Sequence, residues 1–191
     1  AEEGVCYFTI CGIGEASLHP DLFKLLGYIR SKKVEPKGMR QLTMMPSVLI
    51  SNAMWPKLQV EECISNPPDL LSLSLAGLTD EEIIERRAPI NLERFYENCR
   101  EIYSRRSVRR ESDGGISPII HISTHIYPHE METRKDDIER FKEKWFAVSD
   151  AIVIKPTMLD EHHTDYEVFL DPKSPVDETR NLTYTNLSAK H

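Results

Sequence analysis

The chain has 191 residues, a formal net charge of −7 and 40% apolar residues, a balance typical of one globular domain with a substantial core. The acidic balance argues against nucleic-acid binding through bulk positive charge. No apolar run approaches the roughly 20 residues that span a bilayer, so we expect a protein without a membrane partner.

The four cysteines, Cys6, Cys11, Cys63 and Cys99, are scattered and show no C-x-x-C spacing. Three of them lie in apolar stretches, as buried free thiols do in proteins of reducing compartments. We therefore expect unbonded thiols in a cytoplasmic protein. By themselves these residues form no complete iron–sulfur or zinc site.

Apolar runs that predict strands alternate along the chain with stretches that predict helices. The predicted strands are residues 5–12, 47–53, 70–77, 118–127 and 151–154. The predicted helices are residues 20–32, 57–65, 80–87, 91–104 and 133–148. Thr79 and Glu82 have the spacing of a capping box, which predicts that the third helix begins at Asp80. The alternation predicts parallel βα units, which bind ligands at the carboxyl ends of their strands.

The third and fourth predicted strands alternate between apolar and small or polar residues. Leucines at 71, 73 and 75 alternate with Ser72 and Ser74, and isoleucines at 120, 122 and 126 alternate with polar residues. A doubly wound sheet buries both faces and is continuously apolar, whereas a barrel can enclose a polar ligand on one face. The pattern favours a barrel or partial barrel, whose substrate-lining residues are His121, Ser123, His125 and Lys155.

Two less specific interpretations of these residues stay open. The pair Lys155-Pro156 also suits a plain strand end. His121 and His125 are about 13 Å apart along a strand at 3.3 Å per residue, too far to share a metal ion directly. We therefore expect them to line a pocket rather than to bind a metal.

The first predicted strand runs into Gly12-Ile13-Gly14-Glu15, and a helix starts after His19. Glycines allow a sharp turn and close approach of a ligand to the backbone, and N–H groups beside a helix start suit an anionic group. A carboxylate such as Glu15 at the end of a strand usually faces a site. A plain strand-to-helix connection has the same glycine pattern, so this turn alone identifies no ligand.

Four motifs together resemble the core of radical S-adenosylmethionine (radical SAM) enzymes. Residues 12–20, Gly-Ile-Gly-Glu-Ala-Ser-Leu-His-Pro, match the family's Gly-Gly-Glu-Pro-like strand end and the Leu-His-Pro helix start, with Ala16 in place of proline. Residues 49–53 resemble its Thr-Asn-Gly strand end. Residues 73–77 resemble its Ser-Leu-Asp-Gly element, with Ala76 in place of aspartate.

The fourth motif resembles the family's helix with an Ile-Arg-Gly element and a Glu-Asn pair, matched by residues 85–87, 91–93 and 97–98. The match runs in the family's order from about residue 4 to 158. It implies an α/β fold, a partial (β/α)6 TIM-like barrel of parallel strands truncated at the N-terminus. Residues 1–159 would be the core, and residues 160–191 a polar linker or tail toward a possible C-terminal domain with auxiliary clusters.

The resemblance also implies the position of SAM. The turn at residues 12–16 would hold its amino group, Ser51, Asn52 and Ser74 would lie near its ribose or methionyl part, and Arg87 would meet its carboxylate. The implied cofactor-binding residues are Gly12, Gly14, Glu15, Ala16, Ser51, Asn52, Ser74 and Arg87.

The implied reaction is reductive cleavage of SAM by a [4Fe–4S] cluster to a 5′-deoxyadenosyl radical, which abstracts hydrogen from a peptide or small-molecule substrate. An electron donor such as flavodoxin or ferredoxin is the implied partner. The family's C-x3-C-x2-C segment does not occur in this chain. We therefore expect the cluster ligands upstream, and this fragment of an oxidoreductase or transferase to be inactive alone.

Two other functions stay open. One is a non-catalytic α/β barrel module that binds SAM or a peptide without a cluster. The other is an unrelated phosphate-binding (β/α) barrel enzyme such as an aldolase, with Lys155 or Glu15 in proton transfer or a Schiff base. We expect substrate contacts in residues 108–115 and after residue 159.

The remaining basic and aromatic residues receive structural interpretations. Acidic residues are mixed into the run of arginines, which predicts a solvated helix end rather than an RNA contact. The run consists of Arg100, Arg105, Arg106, Arg109 and Arg110. Trp55 and Trp145 are predicted to pack in the core.

Overall fold

The computed structural model describes residues 8–11, 15–31, 47–86, 89–108, 116–127, 129–156 and 167–170. Its strands are β1 (Phe8–Ile10), β2 (Ser47–Ser51), β3 (Leu70–Ser74), β4 (Ser107–Val108), β5 (Ile116–Ser117), β6 (Ile119–Ile126), β7 (Ala151–Pro156) and β8 (Glu167–Leu170). Its α-helices are α1 (Leu22–Ser31), α2 (Lys57–Ser65), α3 (Asp80–Arg86), α4 (Leu92–Arg105), α5 (Glu130–Thr133) and α6 (Lys135–Trp145). Short 3₁₀ helices lie at Ala16–Leu18 and Phe146–Val148. The predicted α/β class is confirmed.

The main sheet has six strands in the order β1-β2-β3-β6-β7-β8. The first five are mutually parallel, and β8 is antiparallel to β7. Strands β4 and β5 form a separate antiparallel pair. Each parallel strand therefore lies beside the one that precedes it in the sheet order, and the order never reverses as it does in a doubly wound sheet.

One face of the sheet forms the hydrophobic core with the helices. Its strand residues alternate in register and are fully buried, and they are Leu49, Leu71, Leu73, Ile120, Ile122, Ile152 and Ile154. The same cluster contains Phe23 of α1, Val60 of α2, Phe95 of α4 and Phe141 of α6. Burial of a large apolar side chain contributes about 1.5–3 kcal/mol, so this face provides most of the apolar stabilisation.

Both tryptophans lie in this core, as predicted. The ring of Trp55 meets Phe23 edge-on at 5.4 Å, and that of Trp145 meets Phe95 in the same way at 5.4 Å. Such edge-to-face pairs add about 0.5–1.5 kcal/mol beyond burial. The rings join α1 to the end of β2, and α4 to α6.

The opposite side of the sheet, here named the polar face, has a different composition. By strand alternation and register its residues are Val48, Ile50, Ser72, Ser74, His121, Ser123, His125, Val153 and Lys155. His121 and Ser123 are buried, whereas Ile50 and His125 are exposed. The predicted contrast between an apolar face and a small or polar face is therefore present.

Two predictions from the sequence are wrong. Residues 167–170 were assigned to an irregular tail, yet they form β8 at the edge of the sheet beside β7. Arg106 was assigned to a solvated helix end, yet it is buried and forms an ion pair with Asp150. In both cases a partner distant in sequence decides the outcome.

The predicted helix bounds agree with the structure to within a few residues, with one division. The stretch 133–148 separates into α5, α6 and a 3₁₀ turn, with Arg134 between the two helices. The predicted capping box is confirmed, because Glu82 N–H donates to Thr79 Oγ1 and Thr79 N–H donates to Glu82 Oε2. Among the described residues, no helix is long and apolar enough to cross a membrane.

Candidate functional site

The carboxyl ends of β1 and β2 are joined through the Glu15 carboxylate. Ser51 Oγ donates to Glu15 Oε1 at 2.6 Å, and the Asn52 N–H donates to Glu15 Oε2 at 2.8 Å. The Ser17 N–H also donates to Oε1, at 3.2 Å, which caps the short 3₁₀ helix. One side chain thus satisfies three donors from two neighbouring turns, and it holds these two strand ends together.

Ser51 belongs to the helix-covered side of β2 and is buried. Its Oγ accepts hydrogen bonds from Trp55 Nε1 at 2.9 Å and from the Ala53 N–H at 3.1 Å. With the bond donated to Glu15, the hydroxyl group has one donated and two accepted bonds, which is its full capacity. The contacts of Ser51 are therefore structural.

The turn after β2 has an unusual backbone that α4 stabilises. Ala53 has a φ of 50°, in the left-handed region that non-glycine residues seldom adopt. Asn98 Nδ2 donates to the carbonyl groups of Ala53 and Trp55, at 2.9 and 3.0 Å. Arg94 donates to the Trp55 carbonyl from Nε and Nη2. These contacts give Asn98, half of the pair noted in the sequence, a specific role in fixing the turn.

The carboxyl end of β3 is fixed by β6 and by the start of α3. Thr124 Oγ1 donates to the Gly77 carbonyl at 2.8 Å and accepts from the Gly77 N–H at 3.0 Å. A Cβ atom on Gly77 would lie 2.6 Å from Glu82 Cβ. Glycine is therefore required here by close packing against the helix cap.

The Glu82 carboxylate connects α3 to the region around α5 and α6. It accepts from the Leu78 N–H at 2.9 Å and pairs with Arg134 Nη1 at 2.6 Å. Arg134 also contacts Glu130 and Asp137. Burial raises the pKa of Glu82, but the bonds from Arg134 and from the backbone prevail and hold it below its usual value.

His121 is the most deeply buried titratable group of the polar face. It is 5% exposed, and among the described residues its Nε2 atom is buried and has no hydrogen-bond partner. Burial lowers the pKa of His121 to about 4; the nearby Asp150 opposes this, and Lys155 adds to it. The imidazole is therefore neutral near pH 7.

Lys155 lies at the end of β7, directly opposite His125 of β6 in the sheet register. Its side chain is half-buried, and burial lowers the pKa of its amine. Ser74 and Ser123 are paired in the same way on β3 and β6. The structure thus brings the four predicted substrate-lining residues, His121, Ser123, His125 and Lys155, to one face of two adjacent strands.

The predicted cofactor-binding residues divide into three groups. Glu15, Ala16, Ser51 and Asn52 lie together at the ends of β1 and β2. Ser74 lies separately, on the polar face at the end of β3. The rest, Gly12, Gly14 and Arg87, lie outside the described residues.

No set of three or more His, Cys, Asp or Glu residues within the described ranges is arranged to bind a metal ion. Cys63 and Cys99 are buried free thiols whose pKa is raised by burial, and Cys11 is a free exposed thiol. The described residues therefore do not fit an iron–sulfur cluster, which takes several exposed thiolates converging on one point.

The sequence did not identify the buried pair of Arg106 and Asp150. Asp150 lies just before β7, and it accepts from Arg106 and from the Ile120 N–H. The Arg106 guanidinium also lies 4.0 Å from the centre of the Tyr103 ring. The only signal in the sequence was an aspartate directly before an apolar strand.

A comparison with models of known protein families finds no match, and a search of curated proteins finds none either.

Proposed function

We propose that this chain is the core of a radical SAM enzyme with a partial (β/α)6 barrel, and that SAM binds on the polar face at the carboxyl ends of the strands. The observation that carries the proposal is the sheet itself. Its five parallel strands keep one running order, and the helices pack on one face only. In barrels of βα units consecutive strands are neighbours, and ligands bind at the carboxyl ends.

The strand-end motifs add support from the sequence. The motif that contains Glu15 and the motif that contains Ser51 and Asn52 are in direct contact, as two ligand-binding turns of one site need to be. Glu15 and Ser51 are saturated by their mutual contacts, so we assign them the positioning of these turns. We assign direct ligand contact to the polar face, where Ser74 lies.

The polar face suits a ligand with several hydrogen-bonding groups, such as SAM, because a buried imidazole nitrogen of His121 lacks a partner there among the described residues. The described residues do not supply ligands for a cluster, so the proposal requires cysteines from sequence outside this chain. In the proposed enzyme the cluster supplies the electron that cleaves SAM. The residues of this chain bind SAM and substrate and exclude water from them.

The experiment uses the complete gene product purified without oxygen. We expect about four irons and four sulfides per chain for one [4Fe–4S] cluster, and 5′-deoxyadenosine formation from SAM after reduction with dithionite. Folded, complete protein that binds no iron after anaerobic reconstitution would rule out the proposal. Binding of SAM without iron or turnover would instead establish the non-catalytic module.

A variant of the polar face tests the position of SAM. Ser74→Val places two methyl groups on this face, and we expect SAM affinity to fall about tenfold or more, the equivalent of one lost hydrogen bond. Ser65→Val, at the exposed end of α2, is the matched control and should bind SAM as the unmodified protein does. Isothermal titration calorimetry measures both affinities. Equal affinity in both variants would exclude the polar face at Ser74.

A further inference from the structure

The polar face carries a group of nitrogen-containing side chains that the strand-end contacts do not use. His121 and His125 lie on the same face of β6, and Lys155 of β7 lies opposite His125 in the register. Neighbouring strands are about 4.8 Å apart, so the side chains of such a pair share one volume above the sheet. The charge of Lys155 is close enough to His121 to help lower its pKa.

His121 carries the first observation. The side chain is 95% buried, and no described residue accepts from or donates to its Nε2 atom. A buried polar atom without a partner costs free energy, and native structures usually satisfy such atoms with protein, water or a ligand. This nitrogen is therefore a specific point at which a ligand gains a hydrogen bond.

Lys155 carries the second, independent observation. It is half-buried, and it forms no ion pair or hydrogen bond with another described residue. Asp150 is the carboxylate that acts on His121, and its charge is already matched by the buried guanidinium of Arg106. No acidic residue occupies a described position of the polar face, so this part of an acidic chain presents cationic and neutral donors only.

We propose that the polar face binds an oxyanion, the carboxylate or phosphate group of a small-molecule substrate, between Lys155 and His121. The ammonium group of Lys155 neutralises the anion, and the neutral imidazole donates its Nε2–H to a second oxygen. An anion bound there also offsets the cost of burying the lysine. The inference rests on the proposed function in treating this anion as part of the substrate, while the binding itself needs neither SAM nor a cluster.

The test is an NMR titration of the complete protein labelled with ¹³C at histidine Cε1, without SAM and at constant ionic strength. Succinate and inorganic phosphate are the probes, and chloride is the reference anion. In chloride we expect His121 to titrate with a pKa of about 4. A saturating oxyanion should shift the His121 resonance and raise its pKa, because the anion favours the imidazolium. The probe that binds more tightly identifies the carboxylate or the phosphate as the natural group.

Two pairs of variants assign the site. Lys155→Met should weaken oxyanion binding about tenfold or more, as expected for loss of a charged hydrogen bond, and Lys155→Gln serves if the methionine variant does not fold. Lys24→Met, on the exposed surface of α1, should leave binding unchanged. His121→Gln identifies the resonance and His129→Gln, at an exposed position, is its control.

Three results would overturn the inference. One is a His121 pKa near 6.5 in chloride, which would mean a solvated imidazole. Another is the absence of any response of His121 to either oxyanion. The last is an equal response in the Lys155 variants and in the unmodified protein. None of these results depends on iron or on SAM cleavage, so failure here is distinguishable from failure of the proposed enzyme function.

Discussion

The Ser51 hydroxyl group donates a hydrogen bond of 2.6 Å to Glu15 Oε1, and this bond joins the turn after β1 to the end of β2. The two residues are 36 positions apart in the chain. Both belong to motifs that resemble ligand-binding turns, yet each spends its hydrogen bonds on the other and on nearby N–H groups. The contact explains how two separate turns are held in one arrangement at the carboxyl ends of the strands.

Glu15→Gln should lower the free energy of unfolding by about 2 kcal/mol, in the range for hydrogen bonds to charged groups. The amide retains one acceptor oxygen but directs an NH₂ group toward a donor that the carboxylate now satisfies. Urea denaturation followed by circular dichroism measures the change. Glu81→Gln, at an exposed position of α3, is the control. If Glu15→Gln is as stable as the control, the three contacts are not formed in solution.

Arg106→Met should destabilise the protein by about 3–5 kcal/mol, because it leaves the Asp150 carboxylate buried without its cation. Arg105→Met is a matched control from the adjacent position, since its ion pairs with Glu61 and Glu101 lie at the surface. We expect little change in that control. Equal midpoints for both variants in urea denaturation would contradict the buried pair.

The Glu82 contacts should make stability depend on pH in the acid range. The pKa of Glu82 is lower in the folded protein than its ordinary value of 4.5. The stabilisation is therefore fully present above pH 4.5 and is lost as the pH falls through the folded pKa. Glu82→Gln should cost about 1–2 kcal/mol at pH 7, as expected for loss of a helix cap, and should show a shallower loss of stability below pH 4.5.

Thermal unfolding between pH 3 and 7 measures this effect. Glu139→Gln, whose exposed carboxylate contacts Lys142 on α6, is the control and should keep the full acid dependence. Parallel pH profiles for Glu82→Gln and the unmodified protein would mean that other carboxylates cause the acid sensitivity.

Two glycines should respond differently to alanine. In Gly77→Ala the new Cβ would meet Glu82 Cβ at 2.6 Å, at the root of a side chain that caps α3, and we expect a loss of about 1–3 kcal/mol. In Gly27→Ala the contact at 2.5 Å is with Asn66 Oδ1, at the end of a side chain that can rotate. Alanine also favours a helix over glycine by about 1 kcal/mol.

Gly27→Ala should therefore be close to neutral, although both contacts are short. Differential scanning calorimetry of the two variants measures the contrast in melting temperature. A larger loss for Gly27→Ala would mean that Asn66 is held rigidly and that the cap at Glu82 yields more easily than its contacts suggest.

The sequence by itself determined the features that depend on neighbours within a few residues. The alternation of strands and helices, the capping box of Thr79 and Glu82, and the contrast between isoleucines and polar residues on β6 all follow from local spacing. A strand has a period of two and a helix a period of 3.6, so the face to which a residue belongs is encoded locally. The prediction that His121, Ser123 and His125 share one face therefore agrees with the structure.

Only the tertiary structure decided which residues meet across the sheet and between elements. Arg106 and Asp150 are 44 residues apart, and nothing local distinguishes Arg106 from the solvated Arg105. β8 is a strand because it lies against the free edge of β7, where its backbone groups find partners. The unpartnered nitrogen of His121 and the saturated contacts of Ser51 likewise follow from long-range packing, since burial and hydrogen bonding depend on elements that the folded chain brings together.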